Sequence, residues 1–291
     1  MMKGKRPYSQ KAVRPTRVLI GWIPGNAVAP WHAAIQADGT ARAKAVDFAR
    51  RARQAVAARS PVGIQNNAVT AAPAALDAYL HKLRQVPDYL AMLSQGFHVA
   101  LADLTQLFAL QPQVHIDQAM ERVEATDPND IVALASLSLP LSSSAPIAVS
   151  FDDARQTWAF SSPNPNLRIL GRFNAELEPD GYGFGFSIGV TPSFLQVTRF
   201  RNRYFLRDGY HRAYGLLAKG IRFVPVMMHE CQTDSEFALP NGMLARSIVL
   251  GERAPRLVDF FDDGVSATVQ MAATEKIVTI HGRESLQDAH P

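Results

Sequence analysis

A single cysteine, Cys231, in 291 residues excludes an internal disulfide and any cysteine-based zinc site. The thiol is more simply an inert side chain than a nucleophile. No apolar run approaches the ~18 residues needed to cross a bilayer, so no membrane span is expected. The start, Met1-Met2-Lys3-Gly4-Lys5-Arg6-Pro7, is basic but lacks the apolar stretch and small-residue cleavage site of a secretory signal. A cytoplasmic protein is the expectation. Internal repeats and heptads are absent. His32, His81, His98 and His115 stand isolated in the chain, and none forms an i, i+4 ligand pair. Neither zinc nor haem is expected as a cofactor.

The composition is globular, 47% hydrophobic and 19% charged, with enough apolar residues for a sizeable core. Charge is uneven. Residues 1–60 hold twelve Lys/Arg and two acids, a balance of +10, which leaves −6 for the rest of a chain whose total is +4. Such asymmetry suggests an acidic partner, and nucleic acid bound through residues 1–60 is the commonest kind. Lys3, Lys5, Arg6, Lys11, Arg14 and Arg17 mark residues 1–17 as a basic mobile arm. Residues 41–59 read as a helix with Ala45, Phe48, Ala49, Ala52 and Val56 on one face, and its basic side fits an ordinary solvated surface as well as a binding face. Aromatics are sparse among these basic residues, which argues against stacking on single-stranded bases there.

Along the chain, residues 18–140 form a mostly helical region, with helices at about 72–84, 87–95 and 115–125. Residues 97–109 mix helical and strand signals. From 141 the chain turns rich in Ser, Pro, Gly and Asn, and residues 141–282 read as an α+β domain with a mixed sheet. Gly181-Tyr182-Gly183-Phe184-Gly185-Phe186 comes near a phosphate-cradling glycine pattern, but the third glycine is missing. A close-packed or curved strand fits better. Residues 283–291 are expected to fray.

The most informative segment is Tyr204-Phe205-Leu206-Arg207-Asp208-Gly209-Tyr210-His211-Arg212, continuing to Gly220. It reads as a strand turning at Asp208-Gly209 into a short helix that Gly220 terminates. Asp208 suits an N-cap, accepting from backbone N–H groups two and three residues on. His211 and Arg212 fall in the first turn, where free N–H groups and the dipole favour an anion. Before this lie a strand at 194–200 and a hairpin turn at Arg201-Asn202-Arg203; after it comes the strand Ile221 to Met228. Each residue also has a plainer role: Asp208 as a cap, His211 as a bonded core histidine, Arg212 as a partner of Asp208 four residues back.

Over residues 193–228 this order resembles the ParB/sulfiredoxin-like superfamily, whose members bind nucleotide phosphates at a strand-to-helix turn bearing DG-x-HR. The resemblance implies a sulfiredoxin-like mixed sheet and a phosphate site at Gly209, Tyr210, His211 and Arg212. It implies Asp208 and His211 as catalytic candidates, Asp208 as a candidate magnesium ligand, and ATP or CTP with magnesium as cofactor. Asn164, Asn166 and Arg168 are candidates for support from an opposing loop. Sulfiredoxins carry a cysteine where this chain has Tyr210, so cysteine repair chemistry is not expected. The Gly-Glu-Arg-Arg motif of CTP-hydrolysing ParB proteins is reduced to Gly251-Glu252-Arg253, followed by Ala254-Pro255, and no helix-turn-helix follows.

Three functions follow from these readings. The first is a nucleotide- or phosphate-binding protein acting on a nucleotide or phosphorylated small molecule, in one form an ATP-dependent phosphotransferase or nucleotide hydrolase. The second is a ParB-like DNA-binding protein using its basic N-terminal segment. The third is a non-catalytic scaffold.

Overall fold

The computed structural model describes residues 13–24, 39–63, 67–142, 145–164, 166–177 and 181–282, without the side chains of 39–42, 175–177 and 181–182. The expected frayed tail and most of the expected arm lie outside these residues. The fold is mixed α+β, in two compact units. The larger joins the described residues of 13–141 to 193–272; those of 142–192 and 273–282 form the smaller.

The chain enters the larger unit with β1 (Val13–Val18) and a 3-10 turn at Ile20–Trp22, then α1 (Gly39–Ala57) and β2 (Val69–Ala71). It continues through α2 (Asp77–Leu83), α3 (Pro87–Ser94), β3 (His98–Asp103), β4 (Phe108–Ala109), β5 (Gln113–His115), α4 (Ile116–Val123) and α5 (Ile131–Ser138). The smaller unit follows with β6 (Ala148–Asp152), β7 (Thr157–Ser162), β8 (Leu167–Leu177) and β9 (Gly181–Val190). Back in the larger unit come β10 (Gln196–Phe200), β11 (Arg203–Asp208), α6 (Tyr210–Ala218), β12 (Phe223–Glu230), α7 (Arg246–Val249) and β13 (Ala267–Ala272). Finally β14 (Lys276–His281) closes a three-stranded sheet β14-β7-β6 in the smaller unit, beside the β8-β9 ribbon.

The central sheet of the larger unit runs β2-β3-β12-β10-β11-β4. The expected strand, hairpin, strand, turn, helix, strand order over 194–228 is present. Arg201 and Asn202 form the two-residue hairpin turn with φ of 49° and 59°, as a turn matched to strand twist requires. In β12, Val224 to Met228 are buried, while Pro225 sits where the strand pairs only with β3, since pairing with β10 begins at Met227. A proline is tolerated there because a single neighbour asks less of its missing N–H.

Three expected boundaries change. Residues 13–18 are not part of a mobile arm; they form the middle strand of a second sheet, β13-β1-β5. Arg17 is buried there because its guanidinium donates to the Phe260 carbonyl and pairs with Asp263. Residues 18–140 are not a separate helical region either, because β2, β3 and β4 build the same sheet as β10 to β12. Nor do residues 141–282 form one domain. The glycine-rich stretch 142–192 folds apart as an insertion, while the strands on either side of the DGYHR turn complete the N-terminal half's core.

That core gathers Phe108, Leu110, Val114, Ala119, Val123, Leu195, Val197, Phe205, Leu206, Tyr210 and Leu216 around α6. In the insertion, the expected curved strand is β9. Its Gly185 lies under the Phe173 ring and its Gly189 under Leu170, positions where a Cβ would collide with those side chains.

Candidate functional site

The DGYHR turn sits where β11 ends. Gly209 has φ +96°, and a Cβ there would lie 2.9 Å from Leu195 Cγ, so both the backbone conformation and the space demand glycine. Gly209 itself is the N-cap of α6, and no side chain caps the helix. Asp208 therefore does not act as the expected cap. Its Oδ1 accepts from the Gly209 N–H at 2.6 Å and its Oδ2 from the Ser193 hydroxyl at 2.9 Å. The far end of α6 behaves as expected: Gly220 has φ +77°, Ile221 N–H donates to the Leu216 carbonyl, and Gly220 N–H to Leu217, the Schellman closure.

Tyr210 and Arg212 are structural in their contacts. The buried Tyr210 hydroxyl donates to the Leu206 carbonyl at 2.5 Å and accepts from Leu110 N–H at 2.6 Å and Gln111 N–H at 3.1 Å. Burial raises its pKa well above the usual tyrosine range. The Arg212 guanidinium, 5% exposed, donates to the carbonyls of Leu137 at 3.1 Å and Ser193 at 2.5 Å, and to the Ser193 hydroxyl at 3.1 Å. Burial, opposed by Asp208, brings its pKa down to about 10. It ties α6 to the end of α5 and to the point where the chain re-enters the unit. The expected Asp208–Arg212 ion pair is not formed within 4 Å.

His211 points toward α4. Its Nε2 accepts from the backbone N–H of His115 at 3.3 Å, so the proton of the neutral ring sits on Nδ1. The two imidazoles stack with centroids 5.6 Å apart. Burial first, then Arg122, His115, Arg14 and Arg212, hold the His211 pKa at about 3. At neutral pH it is an uncharged donor, with its basic nitrogen already engaged.

The partners of His211 were not legible as a site in the sequence. α4 and α6 run parallel, as three contacts in step demonstrate. His115 meets His211, Ala119 meets Gly215, and Lys219 Nζ donates to the Val123 carbonyl at 2.5 Å. Their N-termini therefore lie side by side, and neither has a side-chain cap. Arg122, in the last turn of α4, is exposed along its side chain although desolvation lowers its pKa, and among the described residues its guanidinium has no hydrogen-bond or ion-pair partner. It acts through space on Asp208 and His211. Arg14 on β1 lies 3.6 Å from Asp117 in the first turn of α4. His115 Nδ1 is 2.8 Å from the Thr16 hydroxyl, and its pKa is lowered by burial and by Arg14.

The remaining candidates fall elsewhere. Asn164, Asn166 and Arg168 belong to the smaller unit and bond locally, Asn166 N–H to Asn164 Oδ1 at 3.0 Å. Gly251-Glu252-Arg253 is a packed turn after α7: Arg203 donates to the Gly251 carbonyl at 2.7 Å, and Arg253 to the Arg59 carbonyl at 2.7 Å. Cys231 is buried, which raises its pKa, and it lines a polar cleft of about 390 Å³ at the opposite end of β10 and β11 from the DGYHR turn. Among the described residues no cluster of three His, Cys, Asp or Glu could hold a metal, and no helix is long and apolar enough to cross a membrane.

Several arginines of residues 1–60 are paired with acids, some within the segment and some beyond it. Arg50 and Arg51 pair with Asp47, Arg59 with Asp259 at 2.8 Å and Asp262 at 2.7 Å, and Arg17 with Asp263. The chain matches no family model, no curated protein and no solved structure.

Proposed function

We propose that the larger unit binds a phosphate-bearing ligand, a nucleotide or phosphorylated small molecule, at the adjoining N-termini of α4 and α6. The observation that carries this reading is the pairing of two uncapped, parallel helix starts, with Arg122 of the last turn of α4 acting through space on Asp208 and His211. Each N-terminus carries about half a positive charge and donors with no intrahelical acceptor, and two such ends repel unless an anion lies between them. The order of strands and helix around DGYHR supports the ParB/sulfiredoxin-like likeness. The cationic contribution, however, shifts from Arg212 to Arg122 and Arg14, with His211 as a neutral donor. In a phosphotransferase built on this site the base is Asp208, because Nε2 of His211 is occupied and weakly basic. A nucleic-acid partner has less support, since Arg17, Arg50, Arg51 and Arg59 are already paired with acids.

Thermal-shift titrations with inorganic phosphate, ATP, CTP and GTP, with and without magnesium, test the reading. A ligand at a hundredfold excess over Kd adds about 2.7 kcal/mol of apparent stability. Arg122→Ala should remove the shift and leave the melting temperature of the free protein unchanged. Absence of any shift at millimolar ligand defeats the proposal.

A further inference from the structure

We propose that the smaller unit docks onto the same unit of a second copy of this chain, through the apolar face of its three-stranded sheet β14-β7-β6.

The packed cores of the protein are built from residues of the larger unit alone. In the smaller unit only Ser162, Leu167 and Thr191 are buried among the described residues. Its sheet nevertheless has the alternation of a layer made to be covered. The strand register aligns Phe151, Trp158 and Ile280 in one row across β6, β7 and β14, and Val149, Phe160 and Val278 in the next row on the same face. The Phe151 and Trp158 rings lie 4.6 Å apart. The opposite face carries Ser150, Ala159 and Thr279 between these rows, and Asp152, Thr157 and His281 beyond them. Val149 is 55% exposed, Trp158 48% and Phe151 39%, while Phe160, Val278 and Ile280 are half-buried. A sheet of this kind is stable when its apolar face packs on another layer, and two such sheets stack about 10 Å apart.

Charge, the adjoining chain and the pattern of the face itself point to a second copy as that layer. Residues 142–192 and 273–282 hold four Lys/Arg and six Asp/Glu, a balance of −2 that attracts neither nucleic acid nor an anionic bilayer. The two rows carry no charge, so identical faces meet without repulsion. The adjoining stretches 178–180 and 283–291 have Leu286 as their single large apolar residue, too little to cover the face. The face also complements itself. A twofold axis lying between two such sheets and running across their strands sets each Phe151-Trp158-Ile280 row over the partner copy's Val149-Phe160-Val278 row. The bulkier row thus meets the slighter one, and β6 lies over β6 with Val149 facing Phe151.

Sedimentation of the full chain between about 1 and 200 μM should show reversible exchange between monomer and dimer, with a dissociation constant on the order of 10 μM, as suits a small interface. In a mixture of isotope-labelled and unlabelled wild-type copies, NMR should find contacts between the Trp158 ring of one copy and the Phe160 ring of the other. Val149→Lys and Phe151→Glu each place a charge in the closed layer and should raise the dissociation constant at least about a hundredfold. An equimolar mixture of the two variants should dimerise again, because Val149→Lys of one copy faces Phe151→Glu of the other; misfolded variants would not recover in this way. A chain that stays monomeric throughout the range overturns the proposal. So does a dimer that both substitutions leave intact, since it forms through another surface, and so does a pair of monomeric variants that fail to re-associate on mixing.

Discussion

Gly215 of α6 lies directly against Ala119 of α4: a Cβ at residue 215 would fall 2.4 Å from the Ala119 carbonyl oxygen and 2.9 Å from the Val123 methyl groups. This close approach sets the spacing of the two helices, and with it the distance between His115 and His211. Gly215→Ala gains about 1 kcal/mol of helix propensity but must push α4 away, and overpacking of this kind costs about 1–3 kcal/mol. The expected net result is a loss of up to about 2 kcal/mol in denaturant unfolding, together with weaker phosphate binding. An unchanged midpoint and affinity would show that the helix spacing is not set here.

Arg212→Ala should destabilise the fold rather than merely empty a binding site. Its guanidinium satisfies the carbonyls of Leu137 and Ser193, and truncation leaves those buried acceptors unpaired beside a cavity. Each buried acceptor left unpaired costs about 1–3 kcal/mol. Arg122→Ala, by contrast, removes a side chain with no bonded partner and should leave the unfolding midpoint unchanged. A stable Arg212→Ala chain that has lost phosphate binding would reverse these assignments.

How much of this was legible in the sequence depends on range. The Arg201-Asn202 hairpin, the positive φ at Gly209 and the Gly220 closure are local, and Asn202, Gly209 and Gly220 are residue types that tolerate the left-handed region. The ring contact between His115 and His211 spans 96 residues and leaves no local pattern, so His115 looked isolated. Arg122 looked like one of several charges on an amphipathic helix. β1 was hidden because Arg14 and Arg17 suggest a solvated arm, whereas their partners, Asp117 and Asp263, lie far along the chain. Arg17 and Arg59 of the +10 segment pair with acids at 259–263, which composition alone cannot reveal. The change to Ser, Pro, Gly and Asn at 141 was legible, but the strands that resume at Gln196 read as a continuation of the same domain, so the insertion went unrecognised.

Tyr210→Phe should be costly, even though the ring is retained. The hydroxyl joins Leu206 at the end of β11 to Leu110 and Gln111 after β4, and all three groups lie inside the unit. Removing it leaves buried backbone N–H groups unpaired, at about 1–3 kcal/mol. Chemical denaturation of the variant measures the loss. A change below about 0.5 kcal/mol would mean that water replaces the hydroxyl.

Stability should fall as the pH drops through the range set by His211. Its folded pKa is depressed to about 3, whereas an unfolded histidine titrates near 6.5. Between those values the unfolded chain binds the proton and the folded chain does not, so each step down in pH favours unfolding. The contribution is fully present above about pH 6.5 and lost progressively toward pH 3. One pH unit corresponds to ~1.4 kcal/mol, and solvent at the partly exposed ring screens part of the shift, which leaves a loss on the order of 3 kcal/mol. His211→Gln removes the titrating group, so its unfolding free energy should decline less than that of the wild type over this interval. Parallel pH profiles for the two proteins would show that other groups, not His211, govern the acid sensitivity of the α4–α6 contact.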